Sequence, residues 1–546
     1  MTNSFDELEN AACIFAIGSN TTVAHPIVST RLMRAVAKGR KLIVVDPRKT
    51  HIARLANIHV QHRLGTDVAL LNGMMHVIHK NGWHNRSFIE ERTEGFDTLV
   101  EMIDQYPPGR VAEITGVDAS KIAEVAEIYA RSETSSIVYC LGITQHWTAV
   151  DNVKSLANLA MLCGQIGRPS TGVNPLRGQN NVQGACDMGG LPNVYPGYQP
   201  VSAPESREKF ETAWGKELSP KAGLTIMEMM QGCIDGKIKG MVILGENPVV
   251  SDPDSNHVKH ALESLEFFLS IDIFPTPTTR LADIVLPAAS FAEVNGTFTN
   301  SERRVQRVRK AIDPLGGKTN WQIIQELSTL LDRPMRYETS EEIFNEMASL
   351  TPSYAGMSYP RIEKDGLCWP CPTPDHPGTA ILHVGKFTKG RGLFHAVEYK
   401  PPAEIPDEEY PFWMTTGTEY AHYLTATMTR RCATLDREMP ELMTDLNPED
   451  GMRMQIAHGD YVRVTSRRGT LVSRVQLTRR VKPGMIFMPL HFEEAAANLL
   501  TNPALDPISK TPEYKVCAVR VEKIDRCEDW EGQEDSSRPV LLASRG

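Results

Sequence analysis

C-I-F-A-I-G-S-N-T-T-V-A-H-P-I-V-S-T-R-L-M-R-A-V-A-K-G-R-K-L-I-V-V-D occupies residues 13 to 46. The apolar run Cys13 to Ile17 ends in Gly18, and the run Leu42 to Val45 ends in Asp46, so both read as buried strands. Between them Pro26 suits the first turn of a helix, Val28, Leu32 and Val36 recur every four residues, and Gly39 stops the pattern. Strand, helix, strand in this order is a β-α-β unit. Ligands of open α/β sheets bind beyond the carboxyl ends of the strands, so the loops 18 to 25 and 46 to 50 are expected to face one crevice. No G-x-G-x-x-G accompanies the unit, which disfavours a plain nicotinamide-binding fold.

The same grammar continues downstream. I-V-Y-C-L at 137 to 141 reads as a further strand, followed by G-I-T-Q-H and by a helix with Leu156, Leu159, Ala160 and Cys163 on one face. M-V-I-L-G-E-N-P at 241 to 248, F-F-L-S-I-D at 267 to 272 and A-D-I-V-L-P at 282 to 287 are strands ending in polar turns, a second α/β region. From about 340 to 410 the chain is irregular and proline-rich, as in P-C-P-T-P-D-H-P-G at 370 to 378, which suggests linker and surface loops. Beyond Pro411 the runs F-W-M-T-T, D-Y-V-R-V-T-S, G-T-L-V-S-R-V-Q-L and M-I-F-M-P-L read as short strands of a separate β-barrel, with a hairpin at R-R-G-T, 467 to 470. The expected plan is two Rossmann-like α/β domains, 1–179 and 180–342, an irregular segment 343–404, and a barrel domain 405–546 whose tail from about 524 is loosely held.

Composition narrows the function. At 546 residues with 41% hydrophobic and 23% charged residues, the chain resembles ordinary soluble proteins and should divide into several domains. A net charge of −9 without basic runs argues against a nucleic-acid partner. No segment approaches the roughly 18 apolar residues of a membrane span, and the acidic start is unlike a signal peptide, so a cytoplasmic location is expected. The ten cysteines are dispersed as in reduced proteins. Cys368 and Cys371 in C-W-P-C have metal-like spacing, but without a second such pair they read as structural thiols.

The chemistry concentrates in residues 171 to 190, T-G-V-N-P-L-R-G-Q-N-N-V-Q-G-A-C-D-M-G-G. Its glycines permit close backbone approach, and Gln179, Asn180, Asn181 and Gln183 offer donors and acceptors without charge, a set suited to a large heterocycle. Arg177 is the one cation, and its fork matches a carboxylate or a phosphate through two parallel hydrogen bonds.

This run resembles the corresponding stretch of molybdenum- or tungsten-dependent formate dehydrogenases of the dimethyl sulfoxide reductase family, which hold two molybdopterin guanine dinucleotides. The likeness extends to G-S-N-T-T-V-A-H-P at 18 to 26, V-V-D-P-R at 44 to 48, G-T-D-V-A-L-L-N at 65 to 72 and L-G-I-T-Q-H at 141 to 146. It continues through A-D-I-V-L-P at 282 to 287, H-F-E-E-A-A-A-N-L-L-T at 491 to 501 and K-T-P-E-Y-K at 510 to 515. The resemblance implies oxidation of formate to carbon dioxide, or the reverse, with Arg177 as the substrate-binding residue and electron-transfer subunits as partners. A phosphate-binding role for Arg177 is the alternative.

By the same resemblance, Gly18, Ser19, Asn20, His25, Asp46, Arg48, Gly65, Asp67, Gln145, Gln179 and Asn180 hold the dinucleotides. His422, Tyr423, His491, Asn498, Tyr514 and Lys515 line them from the barrel, and Lys510 matches a family segment there. None of these is expected to ligate the metal. Family members usually open with a 4Fe-4S domain and a metal-ligating cysteine or selenocysteine followed by histidine, and Met1 falls shortly after that position. The expectation is therefore that in-frame DNA upstream carries a UGA and a histidine codon, preceded by cysteine-rich sequence. Two rivals stand beside formate oxidation: another reductase of the family, such as a nitrate reductase, and a non-catalytic structural subunit.

Overall fold

The first β-α-β unit forms as its pattern predicts. In the computed structural model, which describes residues 1–525, strand β1 (Cys13–Ile17) pairs in parallel with β2 (Lys41–Val45), Cys13 opposite Lys41 and Ile17 opposite Val45. Helix Pro26–Ala37 crosses between them, with Val28, Leu32 and Ala35 buried. The added strands β3 (Ile58–Val60), β4 (Ser135–Tyr139) and β5 (Gly172–Pro175) complete a five-stranded parallel sheet of order β3-β2-β1-β4-β5.

Both faces of this sheet are covered, which explains its unbroken apolar strands. Ile14, Ala16, Leu42, Val44 and Val138 pack against Val28 and Leu32 on one face. Phe15, Ile17, Ile43, Val45 and Ile137 pack on the other against helices Asp67–Lys80 and Ala149–Leu162, where Leu156, Leu159, Ala160 and Cys163 are buried as expected. Each fully buried leucine here contributes about 2 kcal/mol of transfer free energy. The strand order reverses between β1 and β4, so their following loops flank the crevice of an open α/β sheet.

The second α/β region is a three-stranded parallel sheet, Ile284–Pro287, Phe267–Asp272 and Gly240–Leu244 in spatial order. The segment expected to be irregular opens with a helix, Ser340–Leu350, and its remainder does not merely skirt the surface: Tyr354, Met357, Ile362 and Cys371 form a core with Val305 and Phe344, and Leu367–Cys368 pairs antiparallel with Arg304–Val308. Arg303, 2% exposed, gathers this corner. Its guanidinium donates to the carbonyls of Met1 (2.8 Å), Thr379 (3.0 Å), Ala380 (3.2 Å) and Trp369.

The carboxyl-terminal region is a closed six-stranded barrel. The strands expected from alternation are Phe412–Gly417, Tyr461–Thr465, Thr470–Leu477 and Met485–Pro489; Met443–Leu446 and Cys517–Ile524 complete it. The hairpin at 467 to 470 is present, with Thr465 opposite Thr470. Most of the acidic and polar tail lies outside the described residues.

Candidate functional site

At the reversal point the two loops touch through their backbones. Gly18, at φ +56°, accepts a hydrogen bond on its carbonyl from the Gly142 amide at 3.0 Å. A β-carbon on Gly142 would lie 2.6 Å from the Gly18 α-carbon, so neither loop has room for a side chain there. Ser19 and Thr21 follow, both buried, with hydroxyl oxygens that have no hydrogen-bond partner. Asn20 precedes the short helix Thr21–Ala24.

Next to them, at the end of β2, Asp46 accepts the Arg48 amide at 2.8 Å. Burial raises the Asp46 carboxyl pKa against the opposing pull of Arg48. The Arg48 guanidinium lies 3.5 Å from the Phe487 ring centroid, with Glu419 at 3.9 Å, so a strand-end arginine reaches into the barrel. Lys515 comes the other way: it is buried, donates to the Thr416 carbonyl at 2.9 Å, and burial, then Arg48, lower its pKa to about 8. Asp46, Arg48 and Lys515, separated by up to 469 positions (515 − 46), form one cationic locus.

Asn498 and Tyr514 reach a second strand-end locus. The Asn498 amide donates to the Val250 and Ser251 carbonyls, each at 2.9 Å, leaving its own oxygen buried without a partner. Asp252, which the sequence reading passed over, has its pKa raised to about 7 by burial, and one of its oxygens is also unpartnered. Glu246 is raised likewise by burial and then by Asp272; both Glu246 and Asp252 lie near Tyr514. Their only sequence signal was the polar turn G-E-N-P-V-V-S-D after a strand.

Other expected residues serve contacts inside the protein. His422 has Nδ1 against Thr429 Oγ1 at 3.1 Å and Nε2 against the Met439 carbonyl at 2.7 Å. His491 accepts the Glu419 amide on Nε2 at 2.9 Å and donates from Nδ1 to the Leu424 carbonyl at 2.5 Å. Both histidines thus bond through their ring nitrogens to the loop segments around them. Gly65 packs against Pro402, and a β-carbon would meet that ring at 2.5 Å. Asp67 is bonded to His62 at 3.1 Å; burial raises its pKa, but His62, His146 and a backbone hydrogen bond together hold it below the usual carboxylate range. Gln145 Oε1 is buried without a partner, and His146 faces Glu513 at 3.7 Å. Lys510, with φ +58°, is part of the turn that leads to Tyr514.

The amide-rich run divides by task. Gln179 and Asn180 are exposed, the Asn180 amide donating to Tyr423 Oη of the barrel at 3.2 Å. Asn181 accepts the Thr299 amide at 2.9 Å. Arg177, half-buried, donates from Nε to Gln183 Oε1 at 3.0 Å, and its backbone amide donates to Ser301 Oγ at 3.0 Å. His25 Nε2 donates to the Arg177 carbonyl at 2.6 Å; burial lowers the His25 pKa, and its Nδ1 is buried and unpartnered. No described carboxylate pairs with the Arg177 guanidinium.

Unpartnered buried polar atoms are rare in native proteins. Here those of Ser19, Thr21, His25, Gln145, Asp252 and Asn498 fall on the loops that follow sheet strands and on the barrel segments meeting them, beside the buried cations Arg48 and Lys515. Hydroxyls, amides and carboxylates for a purine-like ring, with buried cations for a pyrophosphate, are the donor set a dinucleotide requires.

Residues 1–330 match the molybdopterin oxidoreductase model, and residues 412–518 match the molybdopterin dinucleotide binding domain. The chain belongs to the molybdopterin oxidoreductase family. It is 51% identical to an F420-dependent formate dehydrogenase subunit alpha of Methanocaldococcus jannaschii, over 96% of this chain and 78% of that relative. It is 41% identical to formate dehydrogenase H of Escherichia coli, over 96% of this chain and 74% of the other. Within the family it stands with the formate dehydrogenase catalytic subunits. Acetylene hydratase from Pelobacter acetylenicus shares the fold, with a TM-score of 0.76 at 21% identity over 96% of this chain and 79% of that one. Among the described residues no helix is long and apolar enough to cross a membrane, and no group of three or more His, Cys, Asp or Glu could hold a metal ion.

Proposed function

We propose that this chain binds formate at Arg177, beside two molybdopterin guanine dinucleotides carrying molybdenum or tungsten, and oxidises it to carbon dioxide. The observation that carries this reading is an arginine fixed at Nε, with no carboxylate of its own, on a loop next to the paired strand ends. Formate has almost no apolar surface to bury, so charge and paired hydrogen bonds must supply its affinity.

One dinucleotide is held at the β1, β2 and β4 ends by Ser19, Asn20, His25, Asp46, Arg48 and Lys515, and the other by Asp252, Asn498 and Tyr514. Gln145 and Asp67 border the first group, while Asn180, beside Gln179, joins the amide-rich run to Tyr423 of the barrel. His422, His491 and Gly65 shape these walls without touching the cofactor. When bound, the metal centre supplies an acceptor for two electrons. Arg177 binds the carboxylate and orients the C–H bond; cleavage of that bond yields carbon dioxide, a proton and two electrons, the last passed on to electron-transfer subunits. The working location is the cytoplasm, and the domains fall near the boundaries 1–179, 180–342, 343–404 and 405–546, with 343–404 sharing a core with the segment before it rather than folding alone.

Arg177→Lys tests the reading. An ammonium keeps the charge but loses the fork, so the variant is expected to retain metal and dinucleotide while kcat/KM for formate falls roughly a hundredfold or more. Unchanged kcat/KM in a fully loaded variant refutes it. Absence of molybdenum and tungsten from the native protein favours the structural-subunit reading instead.

A further inference from the structure

Behind Arg177 lies a buried polar cluster built almost entirely of donors around one carboxylate. Asp187, 1% exposed, accepts Gln183 Nε2 at 2.8 Å and Tyr198 Oη at 2.9 Å on one oxygen. Its other oxygen accepts Tyr354 Oη at 2.5 Å and Trp369 Nε1 at 2.8 Å. Gln183 also donates to Tyr198 Oη at 2.8 Å, so both of its amide hydrogens are engaged. Its amide therefore cannot turn over without aiming a carbonyl at a carboxylate, and Oε1 is left facing Arg177 Nε at 3.0 Å.

We propose that Asp187 is a positioning residue for formate: acting through Gln183, it occupies the Nε of Arg177 and presents the two terminal nitrogens end-on to the substrate carboxylate. The inference rests on formate binding at Arg177. The polarity of the chain is what matters. Arginine and the indole of Trp369 can only donate, so the group between them must accept at both ends, as a carboxylate does and a carboxamide does not. Trp369, which meets Asp187 across 182 positions, and Tyr354 both come from the irregular 343–404 segment.

Asp187→Asn in the holoenzyme is the decisive variant. Its amino group must face either Trp369, donor against donor, or Gln183, which then turns its own amino group toward Arg177. Formate KM is expected to rise about tenfold or more, with kcat per bound metal within about threefold. Formate should also protect Arg177 less well against phenylglyoxal, as read by peptide mass spectrometry. Trp369→Phe removes the opposing donor: alone it leaves KM within about twofold, and combined with Asp187→Asn it brings KM back toward wild type. A merely structural role predicts lost cofactor rather than a raised KM, and no rescue.

Gln183→Met, which cuts the link while leaving Asp187 in place, decides the matter if Asp187→Asn does not fold, and is expected to raise KM similarly. Wild-type KM in either loaded variant, or loss of cofactor from both with KM unchanged in the loaded fraction, overturns the proposal. If Arg177→Lys itself spares formate turnover, the fault lies instead with formate binding at Arg177.

Discussion

His491 sits beneath the loop that the barrel extends toward the α/β units, wholly buried, with each nitrogen bonded to backbone at Glu419 and Leu424. Burial lowers its pKa from 6.5 to about 4, the Leu424 carbonyl opposing this only in part. Between those values the unfolded chain binds a proton that the native ring does not, so stability is complete above pH 6.5 and drains away as the pH falls toward 4. The full effect is about 3 kcal/mol. The melting temperature should fall by about 1–2 °C between pH 7 and pH 5, and the slope should flatten in His491→Asn. Differential scanning calorimetry across that range checks it; an equal slope in the variant counts against the assignment.

Gly18 and Gly142 carry the argument to the scale of elements, because their contact joins the ends of two strands rather than two side chains. A β-carbon on Gly142 meets backbone at 2.6 Å, which only a shift of the loop can relieve. Gly142→Ala is expected to destabilise the protein by about 2 kcal/mol and to strip dinucleotide from it; release of guanine nucleotide on denaturation, measured per chain, reports the loss. Full cofactor content in a stable Gly142→Ala protein defeats this.

The sequence displayed such elements unevenly. β1, its helix and β2 were legible because each buries both faces or one stripe, and periodicity records that directly. Met443–Leu446 was not, since Thr444 and Asp445 interrupt its apolar character and its partners lie far along the chain. Arg177 stood out as the lone cation of its run, whereas Asp187, in the same run, acquires meaning only from Tyr354 and Trp369, whose approach no local pattern encodes. His422 and His491 fell in recognisable segments, but the atoms they would bond were invisible in one dimension.

For the molecule as a whole, the barrel both completes the strand-end loci and depends on a residue just outside its expected boundary. Glu404 accepts the Ala518 amide at 2.8 Å and pairs with Arg468 at 2.5 Å, tying the chain entering the barrel to its last strand. A fragment begun at residue 400 should fold more stably than one begun at 405, and neither should retain dinucleotide, because Asp46, Asp252 and Ser19 lie elsewhere. Urea titration of both fragments, with nucleotide analysis, tests the two parts; equal midpoints would remove Glu404 from the barrel's folding unit.

Lys515 and Arg48 give this dependence a further meaning. Two cations buried side by side, with Glu419 3.9 Å from Arg48 and Asp46 as their other carboxylate neighbour, are costly on their own and favourable where an anion lies between them. Stability is thus coupled to loading. If Arg48 and Lys515 hold the dinucleotide as proposed, chains without cofactor should open more often and be cut faster by proteases.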